Sequence, residues 1–147
     1  MTNLYLDVEF NGTRGEMISL ALYDPLSGDN FYEVCRNWED MKLIEWVKRN
    51  VIPVTGKPGI RYTELQTALV QYLTKIGEDI VIYADWPEDF IHLLDLLFVV
   101  NSGGAGKHIQ RMRMELITTP DTHKPEIPHN ALSDAKALYL NHMSMKV

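Results

Sequence analysis

Residues 4–10 read Leu-Tyr-Leu-Asp-Val-Glu-Phe, and their strict alternation constrains the chain more than any other feature. Leu4, Leu6, Val8 and Phe10 alternate with Tyr5, Asp7 and Glu9. This period of two is resolved into two faces by a β-strand. One face is apolar and must be buried. The other holds two carboxylates whose Cα atoms would lie roughly 6–7 Å apart. A strand this apolar belongs away from the margin of a sheet, where like charges on one face repel and lose solvation. A divalent cation would compensate them, because carboxylate oxygens are hard ligands suited to Mg²⁺ or Mn²⁺. An amphipathic strand with a solvated acidic face accounts for the same residues.

The rest of the chain places this strand in an α/β fold. Asn11-Gly12 marks a turn. Met17 to Tyr23 is a second strand, closed by the turn-rich segment 24–30, and Phe31 to Cys35 a third. Together they predict a three-strand antiparallel meander. Asn37 is a candidate cap for a helix from Trp38 to Asn50, with Met41, Ile44, Val47 and Val51 at helical spacing. A second helix runs from Thr63 to the Gly77 stop. Ile80 to Ala84 is a continuous apolar run, as in a buried strand. Pro87 opens a third helix reaching about Asn101, followed by a loop at 102–106. Met112 to Thr118 is a further strand, Pro120 to Pro128 is irregular, and Asn130 to Met143 is a last helix. The order β-β-β-α-α-β-α-β-α predicts a mixed five-stranded sheet flanked by helices.

At 147 residues the chain suits one domain with a real core. Its single cysteine, Cys35, excludes an internal disulfide and suits a reducing compartment. The N-terminal residues lack the basic and apolar regions of a signal peptide, and the longest apolar run, Phe90 to Val100, is too short to span a bilayer. A cytoplasmic protein is expected. The formal net charge of −6 opposes electrostatic coating of nucleic acid unless something local reverses the sign.

A second informative segment is Pro128-His129-Asn130-Ala131-Leu132-Ser133-Asp134-Ala135. His129 falls at the entrance of the last helix and Asp134 one and a half turns further in. From an incoming loop, an imidazole can swing over a site and accept a proton from water at neutral pH. A helix cap followed by a solvated acid explains the segment equally well.

Taken jointly, Asp7-Val8-Glu9, an aspartate after a middle apolar strand and His129-x4-Asp134 resemble the DEDDh exonucleases. This RNase T-like superfamily includes RNase T, oligoribonuclease and the proofreading exonuclease domains. The motif order matches across nearly the whole chain, so residues 1–147 read as a single exonuclease domain. The Leu-Asp-Val-Glu-Phe-Asn-Gly opening looks most like the small bacterial 3′-5′ exoribonucleases. The resemblance implies an RNase H-like fold. Its third acid falls in Tyr83-Ala84-Asp85-Trp86-Pro87-Glu88-Asp89, where Asp89 matches the family aspartate and Asp85 stands at a common asparagine position, as a supporting or substitute ligand. Complementing the positive end of the third helix is the plainer role for Asp89. Phe10 replaces the family's usual threonine after Asp-x-Glu.

The resemblance further implies that Asp7, Glu9, Asp89 and Asp134 hold two divalent cations, Mg²⁺ or Mn²⁺, while His129 takes the proton of the attacking water. Single-stranded nucleic acid, RNA in preference, would lose nucleoside 5′-monophosphates from its 3′ end. Two such ions add about +4 locally and reduce the formal charge to about −2. Lys107, His108, Arg111 and Arg113 form the one basic cluster and offer phosphate contacts, or else a solvated strand edge. Phe10, Tyr62 and Trp86 are aromatics that stack on bases in one reading and fill core in the other. A homodimer fits the small size. The alternatives are an exodeoxyribonuclease and a non-catalytic nucleic-acid-binding domain of the same fold.

Overall fold

A computed structural model describes residues 1–36, 41–100 and 105–146. The strands are β1 (Thr2–Phe10), β2 (Met17–Tyr23), β3 (Phe31–Val34), β4 (Ile80–Ala84) and β5 (Met112–Leu116). The α-helices are α1 (Glu45–Asn50), α2 (Tyr62–Ile76), α3 (Pro87–Leu94) and α4 (Ala131–Ser144). The sheet order is β3-β2-β1-β4-β5. β1 to β3 are antiparallel, while β4 is parallel to β1 and β5 parallel to β4. The fold is therefore α/β with a mixed five-stranded sheet, and the acidic strand β1 lies at its centre.

The alternation of β1 behaves as its sequence dictates on one face. Leu4, Leu6 and Val8 join Leu20, Leu22, Ile80 and Ile82 in a core closed by Leu65, Leu69 and Leu73 of α2 and Leu93 of α3. The other face is covered too. Tyr5 is buried against Tyr83, Tyr139 and His142, and its hydroxyl is 2.8 Å from His142 Nδ1. Helix α4 lies over this face. Ala131 and Ala135 pack on Ala21, and these small side chains allow close approach of helix to sheet. Ala21 is also the cross-strand partner of Asp7.

Several boundaries differ from the sequence expectation. The first helix begins only at Glu45, because the Asn11 side chain engages the backbone ahead of it. Asn11 Nδ2 donates to the Lys42 carbonyl at 3.0 Å, and Ile44 N–H donates to Asn11 Oδ1 at 2.9 Å. The proposed Asn37 cap lies outside the described residues. The third helix turns into a π-helical turn at Asp95–Val99, where the buried Gln66 amide donates to the carbonyls of Leu96 and Val100. Of the expected loop at 102–106, Ala105 and Gly106 belong to a 3-10 turn and the rest lies outside the described residues. Strand β5 stops at Leu116, two residues early. Among the described residues no helix is long and apolar enough to cross a membrane.

Candidate active site

The parallel alignment of β1 and β4 puts their C-terminal ends side by side. Asp7 and Glu9 come from the last part of β1, Asp85 from the turn after β4, and Asp89 from the first turn of α3. Asp134 projects from the first turn of α4. Carboxylate oxygens of Asp7, Asp85 and Asp89 all lie within 4.8 Å of one another, as do donor atoms of Glu9, His129 and Asp134. The two groups are joined through the neighbouring Asp7 and Glu9. Every site residue expected from the sequence is therefore brought to one place, and both candidates for the third acid face Asp7. Asp89 is the buried one of the two and Asp85 the exposed one.

Concentrating acids in this way has an electrostatic consequence. Burial, reinforced by Glu9, Asp89 and the other acids, holds Asp7 well above the usual carboxylate range. Burial and a side-chain hydrogen bond with Asp134 push Glu9 up to about 9. Asp89 is pushed up to about 8 by burial and by Asp85, against a backbone hydrogen bond from Val8. Burial raises Asp85 and Asp134 as well. No Lys or Arg forms an ion pair with any of these five acids among the described residues. Asp7 Oδ2 is sealed from solvent without a hydrogen-bond partner. A buried acid oxygen of this kind ordinarily has a donor or a cation.

The entry to α4 fixes the histidine. Asn130 caps the helix, its Oδ1 accepting from Ser133 N–H at 3.1 Å. Its amide donates to the Val54 carbonyl at 3.0 Å and to the Tyr32 hydroxyl at 3.3 Å. His129, one residue earlier, has φ 69°, a left-handed conformation uncommon outside glycine that histidine adopts more readily than most residues. The kink turns its ring from the helix toward Glu9 and Asp134. Trp46 of α1 meets that ring edge-on at 4.8 Å between centroids.

A cleft of about 530 Å³ opens over the acids, lined by Asp7, Glu9, Asp85 and Asp89 and by two half-exposed indoles, Trp46 and Trp86. Sequence reasoning did not single out Trp46. Its one signal was position: it falls out of phase with the apolar series Met41, Ile44, Val47. Of the other aromatics, Phe10 is half-buried against the core and meets the His92 ring at a tilt, 4.9 Å between centroids, and Tyr62 also packs on that core. Phe10 also borders this cleft, and Tyr62 does not.

The basic cluster is not part of the site. Arg111 pairs with Asp79 at 2.5 Å, at the end of β4 opposite Asp85. Six residues of strand put it roughly 20 Å from the acids. Arg113 pairs with Glu115 at 3.4 Å on β5, and Lys107 and His108 are exposed on the 3-10 turn. No family model, curated protein or solved structure matches this chain.

Proposed function

We propose that the protein is a metal-dependent 3′-to-5′ exonuclease. It would hydrolyse phosphodiester bonds at the 3′ end of single-stranded nucleic acid, with RNA favoured by the resemblance, and release nucleoside 5′-monophosphates in the cytoplasm. One observation carries the reading: acids from β1, the β4–α3 connection and α4 crowd together with no Lys or Arg paired to them among the described residues, around a buried Asp7 Oδ2 that has no hydrogen-bond partner. A merely solvated acidic face would have left these groups apart and in water. The strand order agrees with the RNase H-like fold expected for the family.

The donor set fits hard divalent cations, being carboxylate oxygens with one imidazole at the margin. Asp7, Glu9, Asp89 and Asp134 would hold two such ions, with Asp85 supporting Asp7 and Asp89. When bound, the cations would lower the pKa of water and place positive charge where the scissile phosphate lies. His129, held by its kinked backbone and by Trp46, would orient the attacking water and accept its proton. Trp46 and Trp86 offer ring faces on the cleft wall, and stacking tolerates any base.

The test is a 3′-labelled single-stranded oligonucleotide, as RNA and as DNA, incubated with Mg²⁺ or Mn²⁺. Labelled mononucleotide should appear, and a chelator should abolish it. Release of no mononucleotide from either polymer by metal-loaded protein would end the enzyme reading.

A further inference from the structure

A second and larger cavity, of about 1050 Å³, adjoins the acid cleft, and Thr13 and Glu88 stand in the walls of both. It exceeds the roughly 300–1,000 Å³ of a site for one small ligand. Between the two spaces stands an aromatic pair: Phe10 borders the cleft, His92 borders the cavity, and their ring centroids are 4.9 Å apart. The β1–β2 turn also borders both and is pinned from two sides. Asn11 bonds the backbone of Lys42 and Ile44, and Arg14 N–H donates to Glu88 Oε2 at 2.8 Å. The turn is tightly closed. Gly15 N–H donates to the Gly12 carbonyl at 2.8 Å, and a Cβ on Gly15 would lie 1.9 Å from the Asn11 carbonyl oxygen. Arg14 is thereby held at φ 60°, exposed, and in no ion pair among the described residues.

We propose that Arg14 grips the phosphate backbone of a single strand where it passes from the acid cleft into this cavity, so that strands longer than a dinucleotide are cleaved in preference to dinucleotides. The inference rests on the nuclease reading and deepens it. Releasing one nucleotide at a time requires room for one nucleotide on one side of the scissile phosphate and for the remaining chain on the other. The cleft of about 530 Å³ suits the first and the larger cavity the second. No Lys or Arg lines the cleft among the described residues, whereas Arg14 and Arg61 line the cavity. Arg61 is paired with Glu64 at 3.8 Å, which leaves Arg14, on the shared turn, as the unpaired cation of the two. A guanidinium fork bonds phosphate oxygens whatever the base. Glu16, Glu88 and Asp95 also border the cavity and repel phosphates from the rest of it. The bases are left to Met17, Tyr62, Ile91 and His92, and stacking on rings tolerates any base.

Mononucleotide release from a dinucleotide, a tetranucleotide and a longer strand, as RNA and as DNA with Mn²⁺, tests it. For the wild type, kcat/KM should rise at least about tenfold from dinucleotide to tetranucleotide, mainly through KM. Arg14→Gly suits the left-handed backbone while removing the cation, so the thermal midpoint should hold. The length advantage should shrink at least about fivefold in that variant, and Arg14→Lys should recover part of it. The slope of log kcat/KM against log salt for the tetranucleotide should become shallower by about 0.7 in Arg14→Gly, as one phosphate contact is lost. A defect of the turn alone would slow every length equally and leave that slope unchanged. Equal kcat/KM at all lengths in the wild type overturns the inference and leaves the nuclease reading standing. So does a length advantage and salt slope that Arg14→Gly does not alter. Hydrolysis of no strand of any length ends the nuclease reading, and this inference with it.

Discussion

Donor atoms of Glu9 and Asp134 lie within 4.8 Å of each other, across the contact of the central strand with the last helix. Two partly buried acids this close disfavour ionising together, and each is raised above the usual carboxylate range. This governs the response of the site to pH and to cations.

Asp7, Glu9 and Asp89 all have folded-state pKa values raised above those of an unfolded chain. A group raised in this way contributes stability that is fully present below its unfolded pKa, about 4 for a carboxyl. That contribution is lost as pH rises through the folded values of about 8 and about 9. In chelator, the thermal midpoint should fall by at least about 5 °C between about pH 5.5 and about pH 9. Differential scanning fluorimetry reads this directly. Asp89→Asn and Glu9→Gln should each flatten the slope, and an equal slope in both variants would contradict the assignment.

Cations should reverse that penalty. Deprotonated carboxylates are the ligands, so binding expels protons. Calorimetry of Mn²⁺ binding at about pH 7.5, in buffers of different ionisation enthalpy, should report release of about one to two protons per chain. The same additions should raise the thermal midpoint. Asp7→Asn should remove both effects, because Asp7 borders both donor groups.

Replacing His129 separates proton transfer from metal binding. His129→Ala should lower turnover about 100-fold or more while Mn²⁺ still raises the thermal midpoint. Asp134→Ala should lose turnover and weaken metal binding together. Single-turnover hydrolysis of the labelled oligonucleotide measures the first quantity and calorimetric titration the second.

Asn130 tests whether the helix entry positions the histidine. Its side chain satisfies Ser133 N–H, the Val54 carbonyl and the Tyr32 hydroxyl. Asn130→Ala should destabilise the fold by about 1–3 kcal/mol in urea denaturation. Turnover should fall with metal affinity retained, while Asn130→Asp, which keeps the cap, should recover most of the stability. Unchanged turnover in the alanine variant would show that His129 is held by Trp46 alone.

Much of this was readable in residue order. The alternation of Leu4 to Phe10 is a local property of the strand, and it gave both the buried face and the paired acids. The meander, the apolar β4 and the Asn130 cap are likewise local, resting on period and turn chemistry. The short first helix was not readable, because the competing partner, Asn11, is more than thirty residues away and bonds Lys42 and Ile44 only after the chain folds. The role of Trp46 was hidden for the same reason.

The sequence by itself determined which residues could bear charge on one strand face and which segments would be helix or strand, since those follow from side-chain period and backbone preference between near neighbours. Only the tertiary structure decided that Asp85 and Asp89 both face Asp7, that Asp134 reaches Glu9, and that Arg111 stands at the far end of the sheet. Those relations depend on strand order, on the parallel alignment of β1 with β4, and on alanines at the helix–sheet contact that let α4 close over the acids.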